Sequence, residues 1–223
     1  MDGDHAPLRE IAALKEKYGA WLMLDEAHAT GLYGANRRGL AEELGVSDQI
    51  EVQMGTLGKA LGASGGSICG SRALIDFLVN RARSFIFSTA PVPAAVAAAT
   101  AGIQLTRSHE GEQRCRTLWQ RVSECGTGVA AVSKSFSRDG DRRDACPTQS
   151  AILPLIIGTE SDAVAAATAL RYQNIFVPAI RYPTVARGAA RLRITLTAVH
   201  SSDEVRSLAT ALAELVNPKI VNQ

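Results

Sequence analysis

The sequence predicts an α/β chain in two parts: a partial, mostly parallel sheet domain over residues 1–105 and a small α+β domain over 106–223. Three observations predict it. Helix and strand signals alternate up to about residue 105, a long alanine-rich helical stretch begins at Val92, and a second alternation of short strands and helices follows residue 150.

Taken in order, Leu8, Ile11, Ala12 and Leu14 recur at helical spacing between Pro7, suited to a first turn, and Gly19, suited to a helix end. The apolar run Trp21–Leu24 then breaks into Asp25-Glu26, as a buried parallel strand does on reaching the carboxyl edge of its sheet. Ile50–Met54 and Gly66–Cys69 read as further strands. Val92–Leu105 and Gln113–Val132 read as helices, and the polar stretch Ser133–Gln149 as a connecting loop. Strands are expected at Ile152–Ile157, Ile175–Ile180 and Arg191–Thr197, with helices at Ala163–Tyr172 and Asp203–Val216.

Composition excludes several classes. The 223 residues are 46% hydrophobic and 21% charged, too apolar for disorder, and the net charge of +2 with no basic run beyond Arg142-Arg143 argues against a nucleic-acid partner. Cys69, Cys115, Cys125 and Cys146 lack the paired spacing of a zinc site and read as reduced thiols, so no metal is expected. The acidic start Met1-Asp2-Gly3-Asp4 is unlike a secretory signal, and no apolar stretch is long enough for a bilayer. A cytoplasmic chain with no membrane partner is the expectation.

Four constellations carry possible chemistry. In Asp25-Glu26-Ala27-His28-Ala29-Thr30-Gly31 a carboxylate and an imidazole follow a strand end, where open α/β sheets bind ligands. Asp25 there can pair with a protonated ring nitrogen, or simply cap the turn that follows. His28 alone reads equally as a satisfied imidazole. In Gly55-Thr56-Leu57-Gly58-Lys59-Ala60-Leu61-Gly62 the glycine spacing fails the Walker pattern, and Ala60 stands where a hydroxyl should hold magnesium. What remains is an uncrowded lysine, suited to attack on a carbonyl or to plain surface exposure. Ser88 and Thr89, in Phe85-Ile86-Phe87-Ser88-Thr89-Ala90-Pro91, precede a proline-led helix and read as anion-binding hydroxyls or as caps. Arg181 follows a strand beside Tyr182-Pro183-Thr184-Val185; it can grip a carboxylate with two parallel hydrogen bonds, or it and Arg187 can be solvated loop charges.

In that order, and together with Arg191-Leu192-Arg193-Ile194-Thr195, these segments resemble the α-oxoamine synthases of the fold-type I pyridoxal-phosphate (PLP) superfamily, along nearly the whole chain. The resemblance implies the C-terminal part of a fold-type I transferase. It implies that Asp25 pairs with the pyridinium nitrogen of PLP, His28 hydrogen-bonds the ring hydroxyl, and Lys59 forms the Schiff base. Thr56 would help hold the phosphate, with Ser88 and Thr89 reaching it from the neighbouring subunit of a homodimer. Arg181 would bind the amino-acid carboxylate, with Thr184 beside it at the substrate. The implied reaction condenses an amino acid with an acyl thioester carried on coenzyme A or on acyl carrier protein.

Within the family, Asp-Glu-Ala-His-Ala-Thr-Gly and Gly-Ala-Ser-Gly-Gly resemble the biotin-pathway members. 5-Aminolevulinate synthases tend to carry valine on each side of the histidine, and glycine acetyltransferases usually differ at Tyr-Pro-Thr-Val. Family members also have a long N-terminal portion ahead of Met-Asp-Gly-Asp. It supplies sheet strands, the group that stacks on the cofactor ring and part of the acyl site. The 223 residues alone are therefore expected to show unpaired sheet edges and exposed apolar faces, to bind PLP weakly and to turn over little. A second class of reading is a silent subunit that pairs with a full-length homologue; the intact Lys59 speaks against it.

Overall fold

The computed structural model describes residues 2–136 and 150–216. The chain divides into two compact units, His5–Cys115 and Met1–Asp4 with Arg116–Gln223. Each has its own small sheet.

In the first unit, α1 (Leu8–Tyr18) ends at Gly19, whose left-handed φ of 60° lets its N–H return to the carbonyl of Glu16. Pro7 caps the start rather than occupying the first turn. Strand β1 (Met23–Asp25) follows, then the short helix α2 (Leu40–Leu44), a 3-10 turn at Ser47–Gln49 and β2 (Val52–Thr56). β1 and β2 run parallel with Asp25 opposite Met54. β3 (Gly66–Gly70) returns antiparallel to β2, pairing Gly66 with Thr56. Helices α3 (Arg72–Arg81), α4 (Arg83–Ile86) and α5 (Pro93–Arg107) complete the unit.

Its core is small. Leu8, Leu40, Ala41 and Val46 are buried together, with Leu22, Leu24, Ala29, Leu44 and Ile50 packed around them. The expected full burial of Trp21–Leu24 is corrected here: Trp21 is 70% exposed and Met23 59%. Alternate strand residues face opposite ways, so only the Leu22 and Leu24 side meets a packed layer. The sheet order β1-β2-β3 leaves β1 and β3 each paired on one side, and every residue of β3 is exposed. Unpaired edges and bare apolar faces were the expectation for these residues.

Helix α6 (His109–Phe136) leads into the second unit, where Leu118, Val122, Cys125 and Val129 form its buried stripe at spacings of three and four. Its extent corrects the expected loop at Ser133, since residues 133–136 continue the helix. The rest of that loop, including Arg142, Arg143 and Cys146, lies outside the described residues. Then come β4 (Ile152–Gly158), α7 (Glu160–Tyr172), β5 (Ala179–Ile180), β6 (Ala190–Thr195) and α8 (Ser202–Val216). β6 lies between β4 and β5 and is antiparallel to both. Leu153, Leu155, Leu192, Ile194 and Leu212 are at most 1% exposed and form the centre. A Cβ on Gly128 would stand 2.8 Å from that of Ala209, which is how closely α6 and α8 approach.

The strand expected over Ile175–Ile180 shrinks to its last two residues. Asn174 sits at φ 60°, the Ile175 N–H turns back to the carbonyl of Leu170, and Pro178 has no N–H for a ladder. Cys69 is exposed on β3, Cys115 donates to the carbonyl of Leu32 and Cys125 is buried; none of the three forms a disulfide. Among the described residues no helix is long and apolar enough to cross a membrane.

Candidate active site

Parallel pairing of β1 and β2 puts their carboxyl ends on one edge of the sheet, so the loops bearing Asp25-His28 and Thr56-Lys59 leave from the same side. Glu26 ties them. Its N–H donates to the carbonyl of Met54 at 2.7 Å, continuing the ladder one step beyond β1. Its own carbonyl accepts from the N–H groups of Ala29 and Thr30, both at 2.9 Å, and from Thr30 Oγ1, curling the loop into a turn.

Asp25 Oδ1 accepts from the Ala27 N–H at 2.8 Å, which is the turn-capping role open to a strand-end aspartate. Asp25 and His28 are both exposed. Beyond Thr56 the chain forms a tight loop closed by three backbone bonds: Leu57 N–H to Gly65, Ala63 N–H to Leu57 and Gly62 N–H to Lys59. Lys59 stands at its exposed tip, with Nζ donating to Thr56 Oγ1 at 3.2 Å.

The two loops touch at Gly31. Its φ is 87°, and a Cβ there would stand 2.8 Å from that of Ala60, the neighbour of Lys59. Only glycine satisfies the turn and the close approach together.

The residue that sequence reasoning passed over is Glu26, which is 5% exposed. Its carboxylate accepts the N–H groups of Leu40 at 3.0 Å and Ala41 at 2.8 Å, the unpaired donors at the start of α2. Gly39 makes room: a Cβ on it would lie within 2.7 Å of the carboxylate. The available signal was a carboxylate beside a motif aspartate, followed thirteen residues later by a glycine before an apolar pair. Glu42 fixes the connection between them. Burial raises its carboxyl pKa, but hydrogen bonds from the Asn36 side chain and from the Arg38 and Asn36 N–H groups outweigh this and leave it lowered.

Ser88 and Thr89 do not stand at a helix N-terminus, which corrects that expectation. Val92 precedes Pro93 and is held extended, so α5 starts at Pro93. Ser88 Oγ instead donates to the Phe85 carbonyl at 3.0 Å, and both hydroxyl residues lie on an exposed connection. A cavity of about 620 Å³ in this unit is lined by Thr30, Gln53, Gly55, Ser67 and Arg37 among others. Asp25, His28, Thr56 and Lys59 are not among its lining residues.

Arg181 and Thr184 belong to the second unit. Both are exposed just after β5, and the Arg181 carbonyl accepts the Thr184 N–H at 3.0 Å. Arg187 stacks on Tyr182, its guanidinium 4.2 Å from the ring centre, and so has a partner of its own. Arg181, Tyr182 and Arg187 share a shallow cleft with Glu160, whose Oε1 is buried without a hydrogen bond. Arg193 on β6 is the other group left short, with its Nε buried and unpartnered.

A family model described as aminotransferase class I and II matches residues 1–212. The 8-amino-7-oxononanoate synthase of Anaeromyxobacter dehalogenans (strain 2CP-C) is 46% identical over 216 residues, 97% of this chain and 52% of that protein. That of Ralstonia pickettii (strain 12J) is 42% identical over 212 residues, 95% of this chain and 50% of its own. The chain thus spans about half the length of the curated relatives it matches. Among solved structures, a serine palmitoyltransferase from S. paucimobilis with a bound PLP–myriocin aldimine superposes with a TM-score of 0.88 at 26% identity, covering 98% of this chain and 52% of that one. The 8-amino-7-oxononanoate synthase of Francisella tularensis shares the fold, with a TM-score of 0.74 at 23% identity over 94% of this chain and 59% of that one.

Proposed function

Because the chain belongs to the aminotransferase class I and II family, we propose that it carries the lysine-bearing part of a PLP-dependent acyltransferase, an 8-amino-7-oxononanoate synthase that joins L-alanine to a pimeloyl thioester in biotin biosynthesis. Supporting this is the identity of 42–46% to synthases of that name across 95–97% of the chain. The single structural observation that carries it is the contact of the Asp25-His28 loop with the Lys59 loop at Gly31.

The residues present fit the cofactor. An exposed amine, a carboxylate and an imidazole leave one sheet edge, and the lysine's own hydrogen bond is only to a hydroxyl that a phosphate can also use. When bound, PLP supplies an electron sink that stabilises negative charge on the α-carbon of an amino acid. Lys59 would hold the cofactor, and its amine would be the base that takes the proton from the α-carbon. Asp25 would keep the ring nitrogen protonated, because an ion pair favours both charged forms. His28 would orient the ring hydroxyl, and Thr56 would hold the phosphate, joined by Ser88 and Thr89 of a neighbouring subunit. Arg181, with Thr184, orients the amino-acid carboxylate so that the α-carbon faces the thioester carbonyl. Coenzyme A or a carrier-protein thiol leaves as the new carbon–carbon bond forms, and carbon dioxide is lost.

In this reading residues 1–105 belong to the cofactor-binding large domain and 106–223 to the small domain. A cytoplasmic homodimer, completed by the N-terminal portion its relatives carry, belongs to the same proposal. The test is release of coenzyme A from pimeloyl-CoA with L-alanine and PLP. Turnover is expected when the first half of the Anaeromyxobacter synthase is supplied as a separate polypeptide, and is expected to vanish in Lys59→Ala. Equal turnover by Lys59→Ala would overturn the assignment.

A further inference from the structure

Asp2, Gly3 and Asp4 lead into α1. They belong to the C-terminal unit, and the chain enters the other unit at His5. Gly3 is buried at φ 73°, and a Cβ on it would stand 2.2 Å from the carbonyl oxygen of Ile152 and 3.1 Å from Ser150 Cβ. A side chain at this position would therefore force the segment off the head of β4. Ser150 is itself buried, with Oγ accepting the N–H of Ile152 at 3.1 Å.

Asp2 provides the second hold. Its Oδ1 accepts from Arg191 Nη1, and Arg191 Nε donates to the carbonyl of Ala189 at 3.1 Å. Arg191 is only 8% exposed, and a cation so enclosed needs a counter-charge. On β6 the residues alternate in direction, so Ala190, Leu192 and Ile194 fill the core while Arg191 and Arg193 share the other face.

We propose that Asp2–Asp4 is a strap. It fastens across the head of β4 and the arginine face of β6, where the Asp2 carboxylate neutralises Arg191, and so anchors to the C-terminal unit the point at which the chain enters His5–Cys115. The strap needs neither cofactor nor substrate.

Amide hydrogen exchange on the full chain tests it. In Asp2→Asn the amides of β6 and of the first half of β4 are expected to exchange about tenfold faster, the consequence of losing a charge-assisted hydrogen bond. Gly3→Ala should accelerate the same amides, whereas β1, β2 and β3 keep their wild-type rates in both variants. Asp2→Glu should restore most of the protection. Gly19→Ala, which meets nothing within 4 Å at a similarly left-handed glycine of the other unit, should leave β4 and β6 unchanged. Unaltered exchange of β4 and β6 in both Asp2→Asn and Gly3→Ala would overturn the strap. So would an acceleration spread equally over β1, β2 and β3, which would mark general destabilisation instead. If Gly3→Ala does not fold, Asp2→Asn decides alone.

Discussion

Replacing Glu26 by alanine removes the acceptor of two buried donors at once, the N–H groups of Leu40 at 3.0 Å and Ala41 at 2.8 Å. Both residues are buried, so water does not readily take the place of the carboxylate. Each orphaned donor costs about 1–3 kcal/mol, and a partial rearrangement of the five-residue α2 recovers some of it, so a loss of about 2–4 kcal/mol is expected. Glu26→Gln keeps one acceptor but turns an amide N–H₂ toward the other donor, and should cost about half as much.

Gly39 sharpens the test. Gly39→Ala in the native background drives a methyl to within 2.7 Å of the carboxylate at a φ of 142°; in Glu26→Ala the steric part disappears and only the backbone strain remains. The double variant should therefore be more stable than the two single effects added together, by about 1 kcal/mol or more. Urea unfolding followed by circular dichroism measures all four corners of the cycle. Strict additivity, or a Glu26→Ala effect under about 0.5 kcal/mol, would refute the view that this carboxylate holds α2 to the loop after β1.

Two further predictions concern the same unit. Gly31→Ala combines a left-handed φ with a methyl 2.8 Å from Ala60; it should cost about 2–3 kcal/mol and shift the Lys59 loop, read as reduced labelling of Lys59 by PLP. Hydrogen bonds from Lys15 and from the Leu22 N–H hold the Glu51 carboxyl below its ordinary value of 4.5, so the stability it contributes is present above that value and lost as pH falls through the lowered one. Lys15 is raised above 10.5 by Glu16 first and Glu51 next, so its contribution is complete below 10.5 and lost as pH climbs past the raised value. In Glu51→Gln the acid limb of a stability-versus-pH curve should flatten and the alkaline limb shift down; identical curves would remove the pair from the account.

Much of this fold is legible from pattern alone, and the failures have physical causes. The spacing of Leu8, Ile11 and Ala12 with Gly19 marks α1, the apolar run Ile152–Ile157 marks β4, and the alternation along Arg191–Thr197 marks β6. Helices α2, α3 and α4 escape because α2 and α4 are five and four residues long, and because α3 buries none of its residues. For α3 there was a signal in Ser71, whose Oγ caps the helix by accepting the Leu74 N–H at 3.2 Å. Ile175–Ile180 misleads because its apolar character outweighs a proline that breaks the ladder. Trp21 and Met23 mislead because an apolar run promises burial on both faces, whereas packing covers one. At the site, the loops of Asp25 and Lys59 can be expected to share an edge once both are placed after parallel strands. Their closure at Gly31, and the grip of Glu26 on α2, depend on distances that no spacing rule carries.

The most direct test is the site of cofactor attachment. The full chain is titrated with PLP, reduced with borohydride and mapped by peptide mass. Lys59 is exposed and bonded to Thr56, whereas Lys15 is tied to Glu16 and Glu51 with its side chain only 12% exposed. Attachment is therefore predicted to be weak but saturable, with a long-wavelength absorbance band and the reduced adduct concentrated on Lys59. An adduct spread over Lys15, Lys17 and Lys59 in the proportions found for the urea-unfolded chain would contradict the account.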